Sequence, residues 1–293
     1  MKTHTAHTAT LIASISITIF LTTAIPVLSQ LPPATKDYIN TSVRPAVATL
    51  YSQDENGTMK MRCTATAIEE DATSYTFVTA AHCGCEDNAE LKSTSAEKTF
   101  FFIQPELAGN KVYLKAKPQA CGYRTKGDDY FLLTIDKTIK FPILPLGKDP
   151  KAMDEFVNVA GPLGVGLQVF TGSVSSEVLD RPVTVPMDGG DIQWTGAILL
   201  QIFGVNGGSS GSAVLCLDQK AVCAFVVGSM GSTSIVAMPV SRLIQFRSLL
   251  AAGKYPWYKP DPDAPNNKIS ATPHGNIHSE LPRKLELSTM DLR

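Results

Sequence analysis

The chain reads as an all-β protein, a sandwich or barrel closed by one helix near its C-terminal end. Short runs rich in β-branched and aromatic residues fill its middle, with Gly, Pro, Asn and Asp between them, as expected for strands that turn back on themselves. Alternation of strands with long helices, the mark of a parallel sheet, is missing from the pattern. A helical apolar stripe stands out once, near Val240 to Ala252.

The first expected element is not part of the fold. Lys2 gives a weakly basic start, Leu11 to Leu28 is largely apolar, and Val27-Leu28-Ser29 offers small or modest residues for cleavage. Residues 1–29 therefore read as a signal peptide. Pro26 interrupts the run and no positive cluster follows it, which argues against an uncleaved anchor. No second apolar stretch approaches the ~20 residues of a membrane span. The mature chain is expected to be exported, secreted or periplasmic, with no membrane attachment after cleavage.

Residues 30–253 are expected to form one domain. Its strands are read over Ala46 to Tyr51, Met61 to Ile68, Tyr75 to Thr79, Thr99 to Ile103, Tyr130 to Ile135 and Phe156 to Ala160. The second half adds Leu167 to Ser175, Ala197 to Ile202, Ser212 to Leu217, Cys223 to Val227 and Ser234 to Met238. In the helix, Leu243, Ile244, Phe246, Leu249 and Leu250 make the apolar face. Gly253 and Pro256 then supply the stop. Residues 254–293 turn polar and proline-rich, as in Lys259-Pro260-Asp261-Pro262, and read as a disordered tail.

A formal net charge of −1 and the lack of a basic stripe argue against a nucleic-acid partner. The 6 cysteines behind an export signal favour disulfides. Cys216 and Cys223 flank Leu217-Asp218-Gln219-Lys220, which reads as a hairpin tip, so they are expected to pair. A competing metal site would use Cys63, His82, Cys83 and Cys85. However, Cys83-Gly84-Cys85 leaves one residue between its cysteines, whereas zinc sites favour about two to four. No metal or other cofactor is expected.

Three blocks carry chemistry, in the order His, Asp, Ser. The first is Thr76-Phe77-Val78-Thr79-Ala80-Ala81-His82-Cys83. A serine hydroxyl needs a base within reach, and that base needs a partner to orient it. Of His4, His7, His82, His274 and His278, only His82 lies between the leader and the tail. The second block is Gly127-Asp128-Asp129-Tyr130-Phe131-Leu132-Leu133, in which a carboxylate precedes an apolar strand. The third is Gly207-Gly208-Ser209-Ser210-Gly211-Ser212-Ala213-Val214. Its glycines allow a tight loop that aims the N–H groups of Gly208 and Ser210 at one point, an oxyanion hole. Composition alone would equally suit a flexible turn; the following strand and the upstream blocks favour the loop.

Together the blocks resemble the chymotrypsin-like serine peptidases. Val159-Ala160-Gly161-Pro162-Leu163-Gly164, Val169-Phe170-Thr171-Gly172-Ser173-Val174-Ser175 and Ser234 to Leu243 resemble the HtrA branch. The resemblance runs from about Pro45 to Leu250, and the remaining tail is too short for a PDZ domain. It implies two six-stranded antiparallel β-barrels with a C-terminal helix. It also implies a triad of His82, Asp129 and Ser210, with Asp129 preferred over Asp128 as the residue directly before the strand. A Cys63–Cys83 disulfide follows from the same likeness, which leaves Cys85 and Cys121 to each other.

Two departures bear on mechanism, the first on activation and the second on specificity. Ser209 replaces the aspartate that trypsin-type zymogens use to bind a new N-terminus. Gly204 replaces the aspartate behind trypsin-type basic specificity. The resemblance then implies a pocket walled by Gly204, Val205, Val227, Ser229 and Met230, suited to a small or medium apolar side chain. The expected activity is that of a serine endopeptidase on protein or peptide substrates, with oligomeric state left open. The alternatives are a non-catalytic binding protein on the same fold and a serine esterase. An α/β-hydrolase esterase would need its His after the Ser, in the tail at His274 or His278, and a Gly where Ser212 stands.

Overall fold

A computed structural model describes residues 31–54, 56–84, 100–106, 112–124, 127–185, 191–231 and 233–254. The expected signal peptide, the tail beyond Lys254 and Cys85 lie outside the described residues. The chain divides into Met1–Asp37 and Tyr38–Arg293. The described part of the first unit holds most of a short helix, α1 (Pro33–Tyr38).

In the second unit, β1 (Val47–Gln53), β2 (Met59–Glu70), β3 (Ser74–Thr79), β4 (Phe100–Pro105), β5 (Leu114–Cys121) and β6 (Phe131–Asp136) close into a barrel. Its order around the barrel is β1-β2-β3-β6-β5-β4. The chain continues through β7 (Glu155–Ala160), β8 (Gln168–Val174), a two-stranded ribbon of β9 (Val183–Val185) and β10 (Ile192–Trp194), and β11 (Ile198–Ile202). Strands β12 (Ala213–Cys216), β13 (Ala221–Ser229) and β14 (Ser234–Pro239) complete a second barrel, ordered β11-β14-β13-β12-β7-β8. Helix α2 (Val240–Ala251) follows. This is the chymotrypsin-like fold that the resemblance implies.

Closure leaves neither barrel with an open sheet edge, and apolar side chains on the inner faces of the strands fill them. Leu50, Phe77, Phe101, Ile103, Phe131 and Leu133 are buried in the first half of the unit. Phe156, Val174, Ile198, Leu200, Val214, Val226 and Ile235 belong to the core of the second barrel. Tyr130, just ahead of β6, is also buried. Its hydroxyl donates to the Pro239 carbonyl at 2.9 Å, and its ring packs against Phe225 and Phe246. The segment leading into β6 is thus anchored on the second barrel and on α2.

Several expected elements need correction. Strand β5 escapes the sequence pattern because its alternating positions carry alanine, lysine and Pro118 rather than the β-branched and aromatic residues that mark the other strands. Proline cannot donate to a ladder, and here the register with β6 shifts between Pro118 and Ala120 to accommodate it. Strands β9 and β10 have 3 residues each, too few for a periodic signal. Tyr130 and Ala46 stand just outside their strands. Ile244, placed on the apolar face of the helix, is 48% exposed; α2 seats instead on Val240, Leu243 and Phe246.

Two disulfides join described residues, Cys63–Cys83 and Cys216–Cys223. The second spans the tip of the β12–β13 hairpin, with Cα atoms 5.8 Å apart. Cys121 is also disulfide-bonded, while its expected partner Cys85 lies outside the described residues. Cys216–Cys223 closes a loop of sequence separation 7. Replacing both cysteines by serine is expected to lower unfolding free energy by about 2–3 kcal/mol, measured by urea denaturation, with the native far-UV spectrum retained.

Candidate active site

The place of His82 and Asp129 follows from strand register. β3 and β6 are antiparallel, and their final described pair is Thr79 with Phe131. His82 lies three residues past that pair, in a single 3-10 turn (Ala81–Cys83). Asp129 lies two residues before it. The chain therefore delivers both side chains to the same end of the first barrel. His82 Nδ1 lies 2.9 Å from Asp129 Oδ2, and the His82 backbone N–H donates to Oδ1 at 3.2 Å. Asp128, one residue earlier, is not the carboxylate that receives the ring. With Nδ1–H donated to a carboxylate, the lone pair of Nε2 is left for a reacting proton.

Asp129 is fully buried, whereas the His82 side chain is 25% exposed. Burial pushes the Asp129 carboxyl up. The charge of His82, the hydrogen bonds from its ring and from Trp194, and the His82 backbone N–H outweigh that and hold it below the ordinary carboxylate value. The Asp129 carboxyl therefore keeps its negative charge although it is buried.

Trp194, which sequence reasoning missed, is the third donor to this carboxylate. Its indole Nε1–H donates to Asp129 Oδ2 at 2.8 Å. It reaches there from β10, and no motif marks that strand. A Cβ at Gly228 would lie 2.7 Å from the indole Cη2, so the glycine is what makes room for the ring. That coincidence of Trp and Gly is the only local signal, and it is invisible without the register.

Ser210 comes from the second barrel, in the loop leading into β12. Gly208 and Gly211 have φ of 94° and 82°, in the left-handed region that favours glycine. A side chain on either would collide, with Met61 at Gly208 and with Thr79 and Thr64 at Gly211. The loop is held from the first barrel by Thr64. The Thr64 N–H donates to the Ser210 carbonyl at 2.9 Å. Its hydroxyl donates to the Gly208 carbonyl at 2.8 Å and accepts the Gly161 N–H at 3.0 Å. Its carbonyl accepts the Thr79 hydroxyl at 2.7 Å.

Peptide planarity carries these contacts to the opposite sides of the bonds. The Gly207 carbonyl accepts the Leu163 N–H at 2.8 Å, so the Gly208 N–H points away from Leu163. Among the described residues, the N–H groups of Gly208 and Ser210 have no partner within the chain. Ser212 accepts from Asn158 Nδ2 at 2.8 Å, which braces the far side of the loop. Ser209 is buried, and its hydroxyl has no partner among the described residues.

The remaining expected residues fall in different surroundings. Val205 belongs to the core of the second barrel. Val227 is buried, Gly204 and Ser229 are exposed, and Met230 is half-buried. The Phe170 ring is 3.1 Å from where a Cβ on Gly204 would lie. Cys63, His82 and Cys83 cluster closely enough to suggest metal ligands, but both sulfurs are consumed in one disulfide.

No protein-family model matches the chain, and no curated protein does. Solved structures do. Deg5 is 14% identical, with a TM-score of 0.55 over 76% of this chain and 99% of its own. A serine endoprotease from Yersinia pestis is 16% identical, with a TM-score of 0.52 over 76% of this chain and 69% of its own. The active form of the Rv3671c protease from M. tuberculosis is 15% identical, with a TM-score of 0.54 over 80% of this chain and 89% of its own. At these identities the likeness establishes a shared fold.

Thr64→Val keeps the volume of the side chain but strands the Gly208 carbonyl and the Gly161 N–H. It is expected to destabilise the protein by about 1–3 kcal/mol in urea titration. Hydrogen exchange on the same variant is expected to show lost protection at the Gly161 amide.

Proposed function

We propose that this two-barrel fold carries a working serine endopeptidase. In this reading the Ser210 hydroxyl attacks the peptide carbonyl while His82 Nε2 takes its proton. Asp129 holds the imidazole in the required tautomer and stabilises it when charged. The N–H groups of Gly208 and Ser210 receive the developing oxyanion. His82 then gives its proton to the leaving amine, the C–N bond breaks, and an acyl-enzyme remains. Water, deprotonated by His82, attacks the ester and releases the acid with Ser210 restored.

The observation that carries this reading is the His82–Asp129 contact on a fully buried carboxylate. It is supported by two N–H groups without partners in the adjoining Ser210 loop. Two of the solved structures that share the fold are a serine endoprotease and a protease. Disulfides within the barrels suit the exported, secreted or periplasmic setting that the leader suggests. Among the described residues no helix is long and apolar enough to cross a membrane.

For the cleaved side chain we propose a small or medium apolar residue. Gly204 contributes no charge and has the Phe170 ring beside it. The substrates in this reading are proteins or peptides, and the chemistry calls on no metal or organic cofactor.

Labelling with a fluorophosphonate, followed by mass mapping, tests the reading. The adduct is expected on Ser210, and to vanish in Ser210→Ala and His82→Ala. Both variants are expected to lose ~10⁴-fold or more in kcat on a cleavable peptide. A folded, disulfide-intact sample that neither labels nor cleaves would instead favour a binding protein.

A further inference from the structure

We infer that Trp194 is a positioning residue of the triad, a neutral donor that orients Asp129 and shares its charge with His82. The inference rests on the endopeptidase reading for its catalytic meaning, but the hydrogen bond itself stands apart from that reading.

Asp129 Oδ2 receives two donors, the His82 ring at 2.9 Å and the Trp194 indole at 2.8 Å. Oδ1 receives the His82 backbone N–H. The carboxylate is buried on every side, so the chain itself must supply its hydrogen bonds. An uncharged donor on the same oxygen as the imidazole does two things. It fixes the carboxylate plane, because the oxygen facing His82 is held from a second direction. It also takes up part of the negative charge on that oxygen, which would otherwise face the imidazole alone.

The surroundings of the indole are built for this contact. Gly228 opposes the ring where any Cβ would be 2.7 Å away. Trp194 is itself 3% exposed, so its N–H has no solvent alternative. The Arg124 guanidinium lies 5.9 Å from the ring centroid on its face. A cation over the π system polarises the indole and strengthens its N–H as a donor. Arg124 also feels the charge of Asp129, although burial is what moves it most and lowers it. The other titratable or charged groups around this segment are His82, from the turn after β3, Asp128 and Tyr130, its chain neighbours, Asp149, and Arg242 of α2, which packs beside Gly127 and Gly196.

Trp194→Phe removes the donor and keeps most of the aromatic body. All of Oδ2 then serves the imidazole, so the acid limb of kcat/KM on a peptide substrate is expected to move up by ~0.5–1 pH unit. That is about a 3- to 10-fold loss at a pH on the limb, beyond any loss at the plateau. An acid limb unmoved in a folded Trp194→Phe protein would overturn the inference, whatever happens to kcat. A loss of plateau rate alone is what a merely structural tryptophan would give.

A second measurement needs neither activity nor that variant. The chain has 2 tryptophans, Trp194 and Trp257. In a full-length Trp257→Phe protein labelled with ¹⁵N-tryptophan, the single indole N–H signal reports Trp194. It is expected to be protected from solvent exchange, to shift on Asp129→Asn, and to titrate in one step that disappears in His82→Ala. Rapid exchange of this signal, or one indifferent to Asp129→Asn, would overturn the inference. Fluorophosphonate inertness with a protected, Asp129-sensitive indole would leave this contact standing and remove only the endopeptidase reading.

Discussion

Thr64 lies fully buried where β2 passes the Ser210 loop, and its polar atoms make four hydrogen bonds to three different segments. The residue before it, Cys63, is bonded to Cys83. The dipeptide Cys63-Thr64 therefore ties the turn that carries His82 to the loop that carries Ser210. One of these ties is covalent; the others are hydrogen bonds in a place closed to water. Such bonds matter most as a set, because losing one leaves a buried group with no replacement partner. The glycines at 208 and 211 follow from this constraint. The loop must lie so close to Met61, Thr64 and Thr79 that a Cβ has nowhere to go.

The same closeness sets the electrostatics. A buried carboxylate carries a desolvation cost of several kcal/mol unless its oxygens are satisfied. Asp129 meets that cost with one ionisable partner and donors that cannot lose their protons, an indole and a backbone N–H. Tyr130, its neighbour, secures the segment from the other direction through the Pro239 carbonyl. Burial and neighbouring acids push the Tyr130 hydroxyl well above its ordinary value, so that anchor stays a neutral donor.

What the sequence disclosed and what it withheld divide along a physical line. Blocks whose chemistry is local were readable: the small residues before His82, the glycines around Ser210, and the hairpin tip between Cys216 and Cys223. Most of the strands were readable too, because β-branched residues and turn punctuation are local signals. Contacts that depend on register were not. Trp194 sits on a strand of 3 residues, and its use depends on Gly228, which only the folded barrel brings opposite it. Strand β5 hid behind Pro118 because a bulge, set by its partner β6, absorbs the missing donor. Ile244 fitted the helical stripe by spacing, yet the barrel covers a narrower face of α2. Thr64 carried no signal at all, since a threonine within a β-rich run is ordinary until its partners are in place.

The anchoring of Tyr130, the neighbour of Asp129, on the last strand bears on timing. His82 and Asp129 belong to the half of the unit that leaves the ribosome first. Ser210, the indole of Trp194 and the Pro239 carbonyl all come later. A partly made chain, with strand edges open and loops accessible, lacks Ser210 and the later braces of the His82–Asp129 pair. On the endopeptidase reading the triad is therefore complete only once the second barrel has been made, so the order of synthesis itself delays the chemistry.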